Sequence, residues 1–280
     1  DQLKKLEKEQ KTLDARLKKL QPIAMAPSEA ETIADGHVHI RGQVRNKGPM
    51  VPRGFITVAS DPDNKMSIPP KSSGRLELAH WIANDRNPLT SRVMANRIWK
   101  HLLGEGIVRT PDNLGKTGEL PSHPKLLDHL ATQFTKHHWS VKKLVREIVL
   151  SRTYQLSSLN QHKQDPENRL FGRANRKRLE AECIRDSALM VSGQLDPIRG
   201  GSTMGKVGQY DLNYKFNTRR RSIYTPWFRN SMIDLFEVFD APNPNLVVGK
   251  RNTSNIPTQA LFLMNSPFIR EQSPFTSKRL

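Results

Sequence analysis

Glu182 and Asp186 stand four residues apart in the segment RLEAECIRDSALMVSGQL, residues 178–195, with Glu180 and Arg185 crowded beside them. On a helix, a spacing of four turns both carboxylates to one side. Such a pair could divide general acid and base work or hold a divalent cation. It could also tie helices together through forked ion pairs with Arg178, Arg221 or Arg251, and Arg–carboxylate forks serve that purpose commonly. A second group is Arg219, Arg220 and Arg221, followed by Tyr224, Trp227 and Arg229. Guanidinium groups interleaved with aromatic rings suit stacking on sugars or bases and holding sulfate, carboxylate or phosphate. The same two aromatics would equally serve a helical core.

Two histidine motifs complete the chemical inventory. His123 lies in Pro-Ser-His-Pro at a helix start, where an imidazole titrating near neutral pH could act as a base, or could belong simply to turn and cap. His37 and His39 form an HxH pair in Asp35-Gly36-His37-Val38-His39. Alternate residues of a strand share a face, so both rings could reach one ion, but the sequence supplies no further ligands and no barrel pattern follows. No GxSxG, Walker loop, dinucleotide GxGxxG or HExxH occurs. Cys183 is the only cysteine, which rules out an intramolecular disulfide and a cysteine-built zinc cage. Set mid-helix among apolar neighbours, it reads as a small buried hydrophobe rather than a nucleophile.

The elements that must position these groups are mostly helical. Leu3, Leu6, Leu13, Leu17 and Leu20 recur at helical spacing before Pro22, so residues 1–21 read as the end of an upstream helix or coiled coil. Residues 22–74 read as a small β element and linker: 37–44 and 54–59 are rich in β-branched residues, with a turn at Asn46–Pro49 between them. From Arg75 the apolar period becomes helical. Thr90 and Ser122 are expected N-caps, and Gly104 or Gly106 and Gly193 are expected stops. Val141, Leu144, Val145, Ile148 and Val149 form one stripe, and Met232, Leu235, Phe236 and Phe239 another. Gly200–Gly208 reads as a flexible or ligand-approach loop. Pro257 opens a last helix, and 271–280 is left as a tail. The predicted fold is mainly α: a multi-helix orthogonal bundle over 75–270, preceded by a small β-hairpin and a helix stub.

Lys and Arg number 45 against 27 Asp and Glu in 280 residues, a net charge of +18. A surface this basic attracts nucleic acid, anionic polysaccharide, acidic lipid or an acidic protein face. Nucleic-acid binding is disfavoured, because no helix-turn-helix, zinc-finger or RNA-binding sheet signature accompanies the charge. No transmembrane run is present, and the charged opening without an initiator Met reads as a fragment of a longer chain.

Several stretches, in order, resemble one family. They are HIRGQVRNKG at 39–48, NRIW at 96–99, TPDNLGKTGELPSHPKLLD at 110–128, WSVKKLVREIVLSRTY at 139–154 and DPENRL at 165–170, then RLEAECIRDSALMVSGQL at 178–195, RRRSIYTPWFRN at 219–230 and NTSNIPTQALFLMNSPF at 252–268. The chain resembles the planctomycete-specific C-terminal domain of unknown function (PSD domain), whose members often also carry a c-type cytochrome domain. The resemblance implies an exported, periplasmic or cell-surface protein. No CxxCH occurs, so this chain carries no haem cofactor of its own, and haem would belong only to an upstream domain. His37 and His39 depart from the family's apolar pattern. Together these readings lead to an accessory module engaging an anionic polysaccharide or a redox partner with an acidic face. The alternatives are a polysaccharide-active enzyme using Glu182, Asp186 and His123, and nucleic-acid binding through the basic surface.

Overall fold

Local sequence explains most of the elements in the computed structural model, which describes residues 2–20, 26–60, 67–159, 164–201, 203–204 and 214–280. The chain divides into two units, residues 1–87 and 88–280.

In the first unit, α1 (Gln2–Leu20) carries Leu6 and Leu13 exposed to solvent. Two strands, β1 (Gly36–His39) and β2 (Lys47–Val51), pair antiparallel. The second strand is Lys47–Val51 rather than 54–59, because the chain reverses earlier than expected. Arg41 and Gly42 both take positive φ, and the Ile40 amide closes the turn on the Asn46 carbonyl at 3.0 Å. Pro49, with no amide hydrogen to donate, falls where the register slips between His37 and His39. Residues 57–59 form a short 3-10 turn instead. Arg53 fastens the base of the hairpin by donating to Asp35 from its backbone (3.2 Å) and from its guanidinium (2.8 Å). In α2 (Arg75–Ile82), Trp81 stacks on Phe55 at 5.6 Å and donates its indole N–H to Ser60. The helical pattern therefore begins where the sequence places it, at residue 75, although α2 belongs to the first unit.

The second unit holds two apolar clusters. The first is built by α3 (Pro88–Leu103), α4 (Pro124–Lys136) and α5 (Val141–Val149), around Trp99, Leu130, Phe134 and Leu144. Pro88 and Pro124 sit in first turns, where no amide is needed. The expected cap Thr90 lies inside α3, and His123 rather than Ser122 occupies the N-cap of α4. Ser122 is committed elsewhere, its amide and hydroxyl both donating to the Ile107 carbonyl. Gly104 stops α3 at φ 92°, and the orphan carbonyls of His101, Leu102 and Leu103 are met by the Lys177 ammonium and the Asn175 amide.

The second cluster joins α6 (Ala181–Val191), α7 (Asp234–Val238), α8 (Pro257–Asn265) and α9 (Pro267–Ser277), around Ala181, Leu235, Phe236 and Phe239. The supposed tail after residue 270 is instead helical through Ser277. Ser266 caps it, buried Gln272 accepts from the Ser192 hydroxyl at 2.9 Å, and Arg279 donates to the last carbonyls of α6, Met190 and Val191. These polar anchors carry no apolar period, which is why the segment looked unstructured. Among the described residues after 75, extended pairing is limited to one bridge, Asp196 to Arg220, so the mainly helical fold is as the sequence predicts.

Asn96 fixes the crossing of the first cluster. It is fully buried, accepts from the Val108 amide and donates to the Val108 carbonyl, both at 2.9 Å, in the manner of a strand partner. Replacing Asn96 by Ala leaves two backbone groups unpaired in the core. We expect a loss of about 3 kcal/mol in chemical denaturation, since each orphaned buried group costs roughly 1–3 kcal/mol.

Candidate functional site

Helix α6 carries the acidic pair, and its buried stripe decides what surrounds it. Ala181, Arg185 and Leu189 recur every four residues and are buried, whereas Cys183, expected to be buried, falls off that stripe and is exposed. An arginine thus occupies a core position, with its side chain 3% exposed. Its guanidinium donates to the carbonyls of Arg220 (2.9 Å) and Thr218 and to the Ser222 hydroxyl (3.2 Å). Burial pulls the pKa of Arg185 down, and the adjacent charge of Asp186 opposes that shift. Sequence reasoning placed Arg185 in the acidic helix without a role. The signal was its spacing of four from Ala181, on the apolar side.

Asp186 completes the lock. Its carboxylate accepts from the Ser222 amide (2.8 Å) and hydroxyl (2.6 Å), with Arg185 at 3.6 Å and Arg221 at 3.9 Å. Glu182 meets a different partner. Arg251 grips both of its oxygens in a fork at 2.7 and 3.0 Å, and Glu180 lies 3.6 Å from the same guanidinium. Burial pushes the Glu182 carboxyl up. The Arg251 hydrogen bond, the Glu182 backbone amide and the Arg251 charge outweigh it, and hold the group below its ordinary value of 4.5. The ion-network reading of this helix is therefore what the geometry contains, through Arg251 and Arg221. Arg178 is not part of it: that side chain donates to Gln259 at 2.7 Å and lies over the Phe239 ring.

Holding 218–222 against α6 sets the display of the basic segment. Arg219, Arg221, Trp227 and Arg229 are exposed, whereas Ser222 and Thr225 are buried. Arg219 donates to Gln194. Arg220 turns inward, giving its protons to the carbonyls of Ile198 and Gly200, with its guanidinium 4.3 Å above the Tyr224 ring. Gly200 and Gly201, at φ 71° and 72°, present that loop to Arg220; residues 202 and 205–208 of the expected Gly200–Gly208 loop lie outside the described residues. Trp227 stacks on buried Phe236, centroids 5.4 Å apart and planes within 18°, and keeps 36% of its surface open. The basic-aromatic segment thus splits into a structural half, Arg220 and Tyr224, and a displayed half.

The remaining candidates lie apart from this face. His123 is half-buried at the start of α4, beside the Ser122 hydroxyl at 3.0 Å and the Phe171 ring of the first cluster. The structure does not bring it to Glu182 or Asp186, which flank the second cluster. His37 and His39 are exposed on β1, and His37 Nδ1 lies 2.9 Å from the Gly48 carbonyl. Among the described residues, no group of three His, Cys, Asp or Glu side chains could hold a metal ion, and no helix is long and apolar enough to cross a membrane.

The chain belongs to the PSD1 family, proteins of unknown function (DUF1553), whose signature matches residues 74–280. No curated protein and no solved structure matches it. The match spans α2 to the C-terminal helix, so it includes Arg185, the Glu182–Arg251 fork and residues 271–280, which the sequence alone leaves as a tail.

Two predictions follow from the charges on α6. Replacing Arg185 by Met leaves Asp186 without its buried partner and frees the carbonyls of Thr218 and Arg220; thermal unfolding should show a loss of about 3 kcal/mol or more. Glu182 has a folded pKa below its unfolded one, so its contribution is complete above the ordinary glutamate range and fades as pH falls through the folded value. Denaturation curves from neutral pH to below pH 4.5 should therefore fall more steeply for the native chain than for Glu182→Gln. Parallel curves would remove Glu182 from the acid sensitivity.

Proposed function

We propose that this chain is a binding module for anionic polysaccharide, acting as an accessory part of an exported protein of planctomycete type. The observation that carries the reading is the Trp227 platform. Its indole is held flat by Phe236, keeps 36% of its surface open, and is flanked in sequence by the exposed Arg229, with Arg219 and Arg221 on the same displayed segment. A ring so fixed offers a stacking surface to the C–H face of a sugar at little entropic cost. The guanidinium forks match sulfate or carboxylate substituents. The net charge of +18 supplies the long-range attraction.

Binding is favoured over catalysis because Glu182 and Asp186 are engaged with Arg251 and Ser222, and His123 lies elsewhere. The same charges would suit an acidic redox partner, but such a surface has less need of the indole. Titration calorimetry with sulfated and neutral glycans at two ionic strengths separates these readings. The sulfated glycan should bind, more weakly as salt rises, because attraction is screened over about 8 Å at physiological ionic strength. Trp227→Ala and the combined Arg219, Arg221 and Arg229→Ala variant should each lower affinity about tenfold; the arginine variant should keep its melting temperature, as expected for exposed groups, whereas Trp227→Ala should lower it, because the indole covers Phe236. Arg220→Ala should also lower the melting temperature. Equal affinity for neutral and sulfated glycans would overturn the proposal, and binding of an acidic protein insensitive to Trp227→Ala would favour the redox partner.

A further inference from the structure

The loop between α7 and α8 holds three consecutive apolar side chains in water. Leu246 is 66% exposed, Val247 101% and Val248 41%. Random exposure of single apolar residues is ordinary, but three in a row with the middle one fully open is not. The tip is also pinned at both ends. On one side, the Asn245 amide side chain donates to the Arg229 carbonyl at 3.0 Å, and the Asn245 and Leu246 backbone amides both turn back on Asn243. On the other, the Gly249 amide donates to Asp112 at 2.9 Å and its carbonyl accepts from Lys100 at 2.6 Å. A Cβ on Gly249 would fall 1.1 Å from an Asp112 oxygen, so this anchor requires glycine.

Around the anchor, Lys100 is held by the Gly249 carbonyl and Lys250 by Glu105, while Arg97 on α3 is exposed. We propose that the Leu246–Val248 tip inserts into the interfacial layer of an anionic lipid membrane, with the exposed Arg97 and the chain's net charge of +18 supplying the attraction to the headgroups. Shape decides for lipid over protein. A specific protein interface buries about 800 Å² per partner and needs a matching groove. Three exposed side chains cannot supply that area, whereas the headgroup layer accepts a fully exposed side chain such as Val247 without complementary form. Glycan recognition is equally ill-suited, since sugars stack on flat aromatic rings rather than on branched aliphatic tips.

The test is co-sedimentation of the full chain with vesicles of phosphatidylcholine alone and of phosphatidylcholine mixed in equal parts with phosphatidylglycerol. We expect binding to the mixed vesicles only, reduced about tenfold by Val247→Glu, since a buried valine is replaced by a charge that headgroups repel. Because Val247 touches little, that variant should keep the native melting temperature and its glycan affinity. The Trp227→Ala variant should lower glycan affinity and keep vesicle binding, so failure of this proposal and failure of the glycan reading are separable. Undiminished vesicle binding by Val247→Glu, or no binding to the anionic vesicles at all, overturns the proposal. So does a change in oligomeric state with Val247→Glu, which would assign the tip to a second copy of the chain.

Discussion

A single buried guanidinium organises the basic face. Arg185 stands where the pattern of α6 calls for an apolar side chain, and its hydrogen bonds hold three polar groups of the segment 218–222. A charge in that position is costly to desolvate, and it persists only where its donors are satisfied and a counter-charge is near. Both conditions are met by backbone carbonyls and by Asp186. Once 218–222 is fixed, the neighbouring side chains have no choice of side: Ser222 points in, Arg219 and Arg221 point out, and Arg220 folds over Tyr224.

The segment Gly249–Arg251 does for the two apolar clusters what Arg185 does for the loop. Gly249 bonds to Asp112 and Lys100 and Lys250 bonds to Glu105, all in or near the first cluster, while Arg251 forks onto Glu182 at the second. Three consecutive residues therefore clasp both clusters. Lys177 and Asn175 form a second link, closing the end of α3 just before α6 begins. With apolar residues only 36% of the chain, such polar joints share work that a larger core would do alone.

What the sequence disclosed follows from which interactions leave a period. The stripe of α5, the helical domain from residue 75 and the partnership of Glu182 with Arg251 were all legible, because apolar spacing and charge complementarity are local signals. Three features were not. The second strand lay at Lys47–Val51, since a tight reversal at Arg41–Gly42 overrode the β-branched run at 54–59. The last helix α9 escaped notice because Gln272 and Arg279 anchor it through polar groups. Arg220 was grouped with its neighbours as displayed, though only the fold reveals that the carbonyls of Ile198 and Gly200 claim it.

The division of that arginine run also bears on how the proposed anion-binding surface would gain selectivity. Mobile surface charges attract any polyanion, and they contribute little once salt screens them. A rigid aromatic ring changes the balance, because stacking is short-ranged and depends on the shape of the ligand rather than its charge. Trp227 is rigid because Phe236 is buried beneath it, and Phe236 is buried because α7 packs on α6. The displayed cations and the fixed ring thus depend on the same helix, α6. Its apolar side supports the platform, and its polar side sets the outward face of the arginine segment.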